Sequence, residues 1–367
     1  MIRELGFAVP GDLSTPTGGY AYDRRMIAEL ERLGWSVAVL GLGDGFPWPG
    51  TATREAALAR LAAVPAGRPI VVDGLALGAL PEIVALRDSH VLVALVHHPL
   101  ALESGLSARE AKMLRASERA ALAAASHVVT TSRTTARIVA ADYGVPPARI
   151  TVAPPGTDAV AAASGTAISG AAIELLAVGA VTHRKGHDVL IAALAQLAGL
   201  PWRLTIVGDR SRDEGASARL EADISRLGLE RRIELAGVVS PQRLATLYRS
   251  ADVFVLASRF EGYGMAYAEA IAHGLPVIGT TAGAIPEAVA AGLLVPPEDV
   301  SALAAALRTL ITDGRKRARL AAASRSAACA LPTWLASGRL VAAAVEAAVE
   351  AARRGGPDLP LTCGAGA

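Results

Sequence analysis

The sequence predicts an α/β chain made of two doubly wound, Rossmann-like domains facing a central cleft. Three observations carry that prediction. Short apolar runs alternate with helix-length stretches along nearly the whole chain, the rhythm of a parallel sheet whose crossovers are helices. One stretch, from Ala153 to Gly170, breaks both periodicities with Pro154, Pro155 and Gly156 followed by small residues, and reads as a linker. The chain has 367 residues, beyond the roughly 100 to 200 at which a single core stops growing.

Taken in order, the first domain reads as strand Leu5 to Val9, helix Tyr20 to Leu33, strand Ser36 to Leu40, a helix near Arg54 to Ala63, and strand Ile70 to Asp73. It continues with Val91 to Val96, a long helix over Ala108 to Ala125, strand Val128 to Thr130, helix Thr134 to Tyr143 and strand Ile150 to Val152. The second domain starts at Ile173, with strands at Glu174 to Val178, Arg203 to Val207, Ile233 to Leu235, Val253 to Leu256, Pro276 to Gly279 and Leu293 to Val295. The expected bounds are 1–158 and 159–333. A last amphipathic stretch from Trp334 to about Arg353 has no strand after it and is expected to pack back on the first domain. The Gly- and Pro-rich tail of 355–367 is expected to be flexible.

Composition excludes several classes. Hydrophobic residues make up 52% and charged residues 19%, enough to bury a large core and unlike a disordered chain. Thirty-six Lys and Arg against 34 Asp and Glu leave a net charge of +2, too weak a field to point to nucleic acid. Arg3 and Glu4 interrupt the apolar run a secretory signal needs, and no segment offers about 18 uninterrupted apolar residues for a membrane span. Cys329 and Cys363 have no metal or redox spacing. These features fit a cytoplasmic protein, with peripheral membrane attachment left open although no Lys/Arg-rich amphipathic helix is read.

Ligands of open parallel sheets bind beyond the carboxyl ends of the strands, and the informative residues fall there. The loop after the first strand ends in Gly18 and Gly19 at a helix start, which permits close backbone approach to a ligand; the bland alternative is a turn and cap. It matches neither the dinucleotide nor the P-loop glycine pattern, which disfavours a dehydrogenase or nucleoside triphosphatase. After the first strand of the second domain, Arg184 and Lys185 precede a helix and form a plausible diphosphate clamp, against the alternative of solvated loop charges. His183 and His187 are four apart, but Gly186 opposes a continuous helix and no acidic or thiolate ligand is near, so metal ligation is disfavoured. His97 and His98 follow a buried strand and could reach the cleft; a core or capping histidine is the competing reading.

The strongest local signal runs from Ser258 to Ala270, with Glu261 and Glu269 eight positions apart around Gly262, Tyr263, Gly264 and Met265. A continuous helix would separate the two carboxylates by about 12 Å, and an extended glycine loop by more, a span that suits one elongated ligand. Amide groups near Gly264 and Met265 would then face a diphosphate. Alone, each glutamate is as readily a surface or helix-start anion.

Together these residues resemble the family 4 retaining glycosyltransferases, which have the GT-B fold of two facing Rossmann-like domains. Glu261 to Glu269 is similar to the family's Glu-x7-Glu motif. Gly18-Gly19, His97, Pro155-Gly156-Thr157-Asp158, Lys185-Gly186, Val207-Gly208-Asp209 and Ala282 to Glu287 follow in the family's order and spacing. The resemblance implies transfer of a hexosyl group from a nucleotide diphosphate sugar to a small-molecule or lipid acceptor. The first domain would take the acceptor and the second the donor. Lys185 and Arg184 would neutralise the leaving diphosphate, Glu261 would hold the donor sugar, Glu269 the ribose, and His97 would lie near the reacting sugar. Gly18, Gly19, Gly208, Gly262, Tyr263, Gly264 and Met265 would line the donor. The absence of an Asp-x-Asp sequence agrees with chemistry that needs no metal and no cofactor. One position departs: many members carry Arg where this chain has Ala180, with Arg184 a possible substitute. Alternatives are a catalytically weak nucleotide-sugar-binding protein and a sugar-nucleotide epimerase on the same fold.

Overall fold

A computed structural model describes residues 3–160, 163 and 172–355. Two compact units divide it: the described residues up to Leu102 with Leu106–Pro154 and the chain from Trp334, and Glu103–Gly105 with Pro155–Thr333. The Ser337 hydroxyl donates to Pro154 O, while Thr157 N–H donates to Pro332 O at 2.8 Å. Those two bonds tie the chain to either unit on the two sides of Pro154, four residues before the boundary read from the sequence. Half of the expected linker, and the tail beyond 355, lie outside the described residues.

The first unit contains β1 (Glu4–Val9), α1 (Gly18–Arg32), β2 (Ser36–Gly41), α2 (Thr51–Ala62), β3 (Ile70–Asp73), the single turn α3 (Gly74–Leu77), β4 (Leu92–Val96), α4 (Ala108–Ala124), β5 (His127–Thr130), α5 (Arg133–Tyr143) and β6 (Ile150–Val152). All pairings are parallel, in the order β2-β1-β3-β4-β5-β6. β3 and β4 are buried along their whole length, which is why they read as unbroken apolar runs: helices cover both faces of such a sheet. Thr17 caps α1 by accepting Tyr20 N–H at 3.1 Å, and Ser107 with Glu110 forms a capping box at α4.

The second unit contains β7 (Ile173–Val178), α6 (His187–Ala195), β8 (Trp202–Val207), α7 (Glu214–Arg226), β9 (Ile233–Gly237), α8 (Pro241–Ser250), β10 (Val253–Val255), α9 (Met265–Ala272), β11 (Val277–Thr280), the short α10 (Ile285–Ala288), β12 (Leu293–Val295), α11 (Val300–Thr312) and α12 (Gly314–Ala328). Its parallel order is β12-β11-β10-β7-β8-β9. This is the dinucleotide-fold order, three strands running outward on either side of a reversal between β7 and β10. In the first unit the reversal lies between β1 and β3, a different winding that the alternation of elements alone does not reveal. In open parallel sheets that reversal is where ligands bind. α9 begins only at Met265, so Glu261 stands in a loop and the glutamate pair is not one helical face.

The last helix, α13 (Trp334–Gly355), belongs to the first unit. Val341, Val345 and Ala348 are buried, and Trp334 meets Tyr22 of α1 edge-on at 6.1 Å. A Cβ added at Gly338 would lie 2.6 Å from the Glu29 Cβ on α1, so glycine lets the two helices touch. Among the described residues no helix is long and apolar enough to cross a membrane. Replacing Gly338 by Leu is expected to cost about 1–3 kcal/mol by overpacking, read as a lowered Tm; an unchanged Tm would show that α13 does not depend on this contact.

Candidate active site

In the second unit the site is assembled at the reversal between β7 and β10. The chain leaves β7 through Gly179, forms a turn at His183–Lys185, and enters α6 at Gly186, whose φ of +65° suits glycine. A side chain at Gly186 would collide with the Ala257 carbonyl at the end of β10, so the turn is pressed against the neighbouring strand end. That brings Lys185 Nζ to within 2.6 Å of Glu261 Oε1, and an Arg184 terminal nitrogen to within 3.2 Å of Oε2. Ser258 Oγ also donates to Oε1 at 2.7 Å. Arg184 further donates to Phe260 O at 3.0 Å and to Glu103 at 3.1 Å. Its guanidinium therefore turns inward beside Lys185.

Glu261 is only 6% exposed. Burial opposes its charge, but Lys185 and Arg184 outweigh burial and hold the carboxyl down at about 2, so it is ionised throughout the physiological range. Burial and then the Arg184 charge lower Lys185, with Glu261 working the other way. The Glu261 backbone is pinned as well: its carbonyl accepts Ala284 N–H at 2.9 Å. Gly283, at φ +55°, passes so close that a Cβ would strike that carbonyl.

Gly264, at φ +101°, leads into α9, and no side chain caps that helix. A Cβ there would lie 2.9 Å from the Tyr267 ring. Met265 is the first residue of α9, Tyr263 is buried just before it, and Gly262 is partly buried in the same loop. On α9, the partly buried Glu269 accepts the Tyr248 hydroxyl at 2.9 Å, and burial raises its carboxyl above the ordinary value against that bond. Tyr248 in turn stacks on His273 at 4.9 Å. Gly208 is accounted for by packing, because a Cβ would run into the Gly179 carbonyl. His187 is buried with Nε2 3.3 Å from Gly179 O, and burial lowers it to about 4; it is a neutral core histidine.

In the first unit a second polar cluster sits at the reversal between β1 and β3. His97, just beyond β4, places Nε2 at 3.1 Å from Asp23 on α1 and 3.4 Å from Asp73 at the end of β3. Asp73 also caps α3, accepting Leu75 N–H at 2.6 Å. Asp23 and Asp73 are buried, at 0% and 2% exposure. Burial works against a charged imidazole, but the two carboxylates outweigh it and push His97 up to about 10. Burial, then the Asp73 charge, raises Asp23, whereas at Asp73 the His97 bond overcomes burial and lowers the carboxyl. Gly18 opens α1, and a Cβ at Gly19 would lie 3.4 Å from the His97 ring. Among the described residues, Asp23, Asp73 and His97 are also the group whose ligand atoms, all within 4.8 Å of one another, could hold a metal ion.

The structure thus unites Arg184, Lys185 and Glu261 in one cluster and sets Gly262, Tyr263, Gly264, Met265 and Glu269 directly after it. Gly18, Gly19 and His97 meet separately in the first unit. Sequence reasoning missed Asp23, Asp73, Ser258 and Tyr248. Asp23 left a signal, because it shares a helical stripe with the buried Met26, Ile27 and Leu30. A carboxylate on an apolar face needs a partner. Ser258 opens the segment of strongest signal but was given no role of its own, and Tyr248 left none.

Comparison with known proteins bears on the family and the fold. The model of the family described as "Glycosyl transferases group 1" matches residues 172–313, and that of "Glycosyltransferase Family 4" matches residues 74–160. The D-inositol 3-phosphate glycosyltransferase of Xylanimonas cellulosilytica is 34% identical over 227 residues, 57% of this chain and 54% of that protein. The chain spans about half the length of the curated relatives it matches. Sucrose-phosphate synthase from Thermosynechococcus elongatus superposes with a TM-score of 0.79 over 95% of this chain and 100% of that one, at 22% identity. Anabaena Alr3699/HepE, solved in complex with UDP and glucose, gives 0.72 over 94% and 100%, at 20% identity. With two parallel sheets of matching fold and a glycosyltransferase family model on each unit, the chain has the GT-B fold and is similar to the family 4 (group 1) glycosyltransferases.

Proposed function

We propose that this chain is a retaining glycosyltransferase that moves a hexosyl group from a nucleotide diphosphate sugar to a hydroxyl of a small-molecule or lipid acceptor, without a divalent metal. The observation that carries this reading is the buried cluster of Lys185, Arg184 and Glu261 at the β7/β10 reversal. Two cations fixed at a strand end suit a diphosphate leaving group, and an ionised carboxylate between them suits donor-sugar hydroxyls. Arg184 turns inward and so supplies the second cation that Ala180 does not. Glu269, braced by Tyr248, suits the two hydroxyls of a ribose.

In the proposed reaction the anomeric carbon–oxygen bond to the diphosphate breaks with its electron pair going to the phosphate. The acceptor oxygen bonds to the anomeric carbon from the same face, and its proton passes to the departing phosphate oxygen. The protein then needs no side-chain nucleophile. Lys185 and Arg184 stabilise the charge that grows on the phosphate. His97, held by Asp23 and Asp73, supplies a fixed positive charge near the reacting sugar.

Glu261→Ala and Lys185→Ala are each expected to lower turnover at least tenfold, about 1.4 kcal/mol of lost transition-state stabilisation. Full turnover in either folded variant would remove the assignment. A thermal-shift and hydrolysis screen against UDP-, GDP-, ADP- and TDP-sugars should give stabilisation and slow sugar release with one nucleotide, equally with chelator present. Activity that vanishes with chelator would contradict the metal-free reading, and no response to any donor would contradict transfer.

The His97 cluster also sets a pH dependence. A histidine raised in the folded state contributes stability that is complete below about 6.5 and is lost as pH rises through about 10. The raised Asp23 acts in the same direction, while the lowered Asp73 acts only at acid pH. Wild-type stability should therefore fall between pH 7 and 10, and His97→Gln should flatten that slope. Equal slopes in chemical denaturation would show that His97 does not hold the extra proton.

A further inference from the structure

Glu298 is the single non-glycine residue with positive φ among the described residues, at +64°. It lies in the loop between β12 and α11, directly before Asp299, which caps α11 by accepting Ala302 N–H at 2.8 Å. The chain entering that cap requires the left-handed conformation, and glycine would adopt it without strain. What needs explaining is why a glutamate stands there.

Its carboxylate accepts Arg259 Nε at 2.9 Å. The rest of the Arg259 guanidinium is also occupied. It donates to both Asp188 oxygens, at 2.9 and 2.8 Å, and to the His183 carbonyl at 2.6 Å, while the Arg259 backbone N–H donates to Arg184 O at 2.8 Å. One residue thus holds two successive carbonyls of the turn that carries Arg184 and Lys185, and ties that turn to the first turn of α6. Stability does not account for Glu298. The bidentate pair of Arg259, 16% exposed, with Asp188 can stabilise by itself, but Glu298 is 65% exposed, and one such exposed pair contributes less than a left-handed side chain costs. Strain retained without a stability return points to a positional role.

We infer that Asp188, Arg259 and Glu298 form a brace that fixes the direction in which Arg184 and Lys185 are presented, and so acts as a set of positioning residues for the diphosphate. The brace touches no substrate. It rests on the donor-binding reading above for its purpose, but not for its existence. Glu298→Gly removes the carboxylate and relieves the backbone, so the variant should fold with an equal or higher Tm.

The test compares wild type, Glu298→Gly, Arg259→Lys and the control Glu221→Gln, which removes an exposed ion pair with Arg210 elsewhere in the unit. Amide hydrogen exchange at Lys185 and Gly186, whose N–H groups close the turn on Thr182 and His183, should quicken in the ligand-free Glu298→Gly and Arg259→Lys proteins and stay unchanged in the control. With the donor found by the screen, kcat/KM should fall by about three- to thirtyfold in both brace variants, short of the roughly hundredfold that an ångström of misplacement costs. Unchanged exchange in Glu298→Gly overturns the brace, as does quickened exchange with unchanged kcat/KM. If the wild-type protein accepts no nucleotide sugar, the transfer reading fails and exchange alone decides whether the turn is braced.

Discussion

The buried carboxylate of Glu261 is the constraint on which the rest of the second unit's site depends. An ionised group with 6% exposure persists only if its charge is matched and its oxygens are hydrogen-bonded. Here Lys185, Arg184 and Ser258 do both. Each partner imposes a backbone requirement. Lys185 and Arg184 must sit on a turn pressed against the end of β10, which demands glycine at 186. The loop bearing Glu261 must be gripped from the other side, which demands glycine at 283. The glycines around this site serve close packing at least as much as ligand approach.

The two units reach similar ends by different windings. Strand order reverses between β7 and β10 in one and between β1 and β3 in the other, and each reversal carries a compensated cluster of buried charge. In the second unit two cations converge on one carboxylate; in the first, two carboxylates converge on one imidazole. Neither cluster is left with a bare surplus, because Arg184 also pairs with Glu103 and Asp23 is raised toward its neutral form. Lys185 and Arg184 nonetheless set charged N–H donors at a strand end, which suits a phosphate. A carboxylate pair instead keeps a histidine charged at pH values where a free one is neutral.

Much of the fold was legible because fully buried parallel strands announce themselves as apolar runs such as Ile70–Val72 and Leu92–Val96, and the main helices between them run 8 to 17 residues. The order of strands was not legible, since alternation is the same whichever edge a crossover turns toward. Glu261, Glu269, Lys185 and Arg184 were legible as a spacing, whereas their mutual pairing was not: residues 185 and 261 meet only because β7 and β10 are neighbours. Glu261 and Glu269 were read as carboxylates for the two ends of one ligand, and their surroundings differ in kind. The first is lowered by two cations, and the second is raised by burial beside a tyrosine. Tyr248 lies 21 positions before Glu269 on another helix, a separation that carries no pattern.

Glu261 also favours the charged form of Lys185. Burial and the neighbouring Arg184 both favour the neutral amine, and the Glu261 carboxylate opposes them at 2.6 Å. In a poorly solvated site like charges repel far more strongly than in water, so Arg184 and Lys185 side by side are tenable only with a negative charge between them. Removing the carboxylate therefore does more than delete a hydrogen-bond acceptor. It takes away the charge that most favours protonated Lys185, and the loss of Glu261 and the loss of Lys185 should be strongly non-additive, as for any groups that act as a unit. The three side chains are one electrostatic device, and its smallest functional piece is the whole cluster.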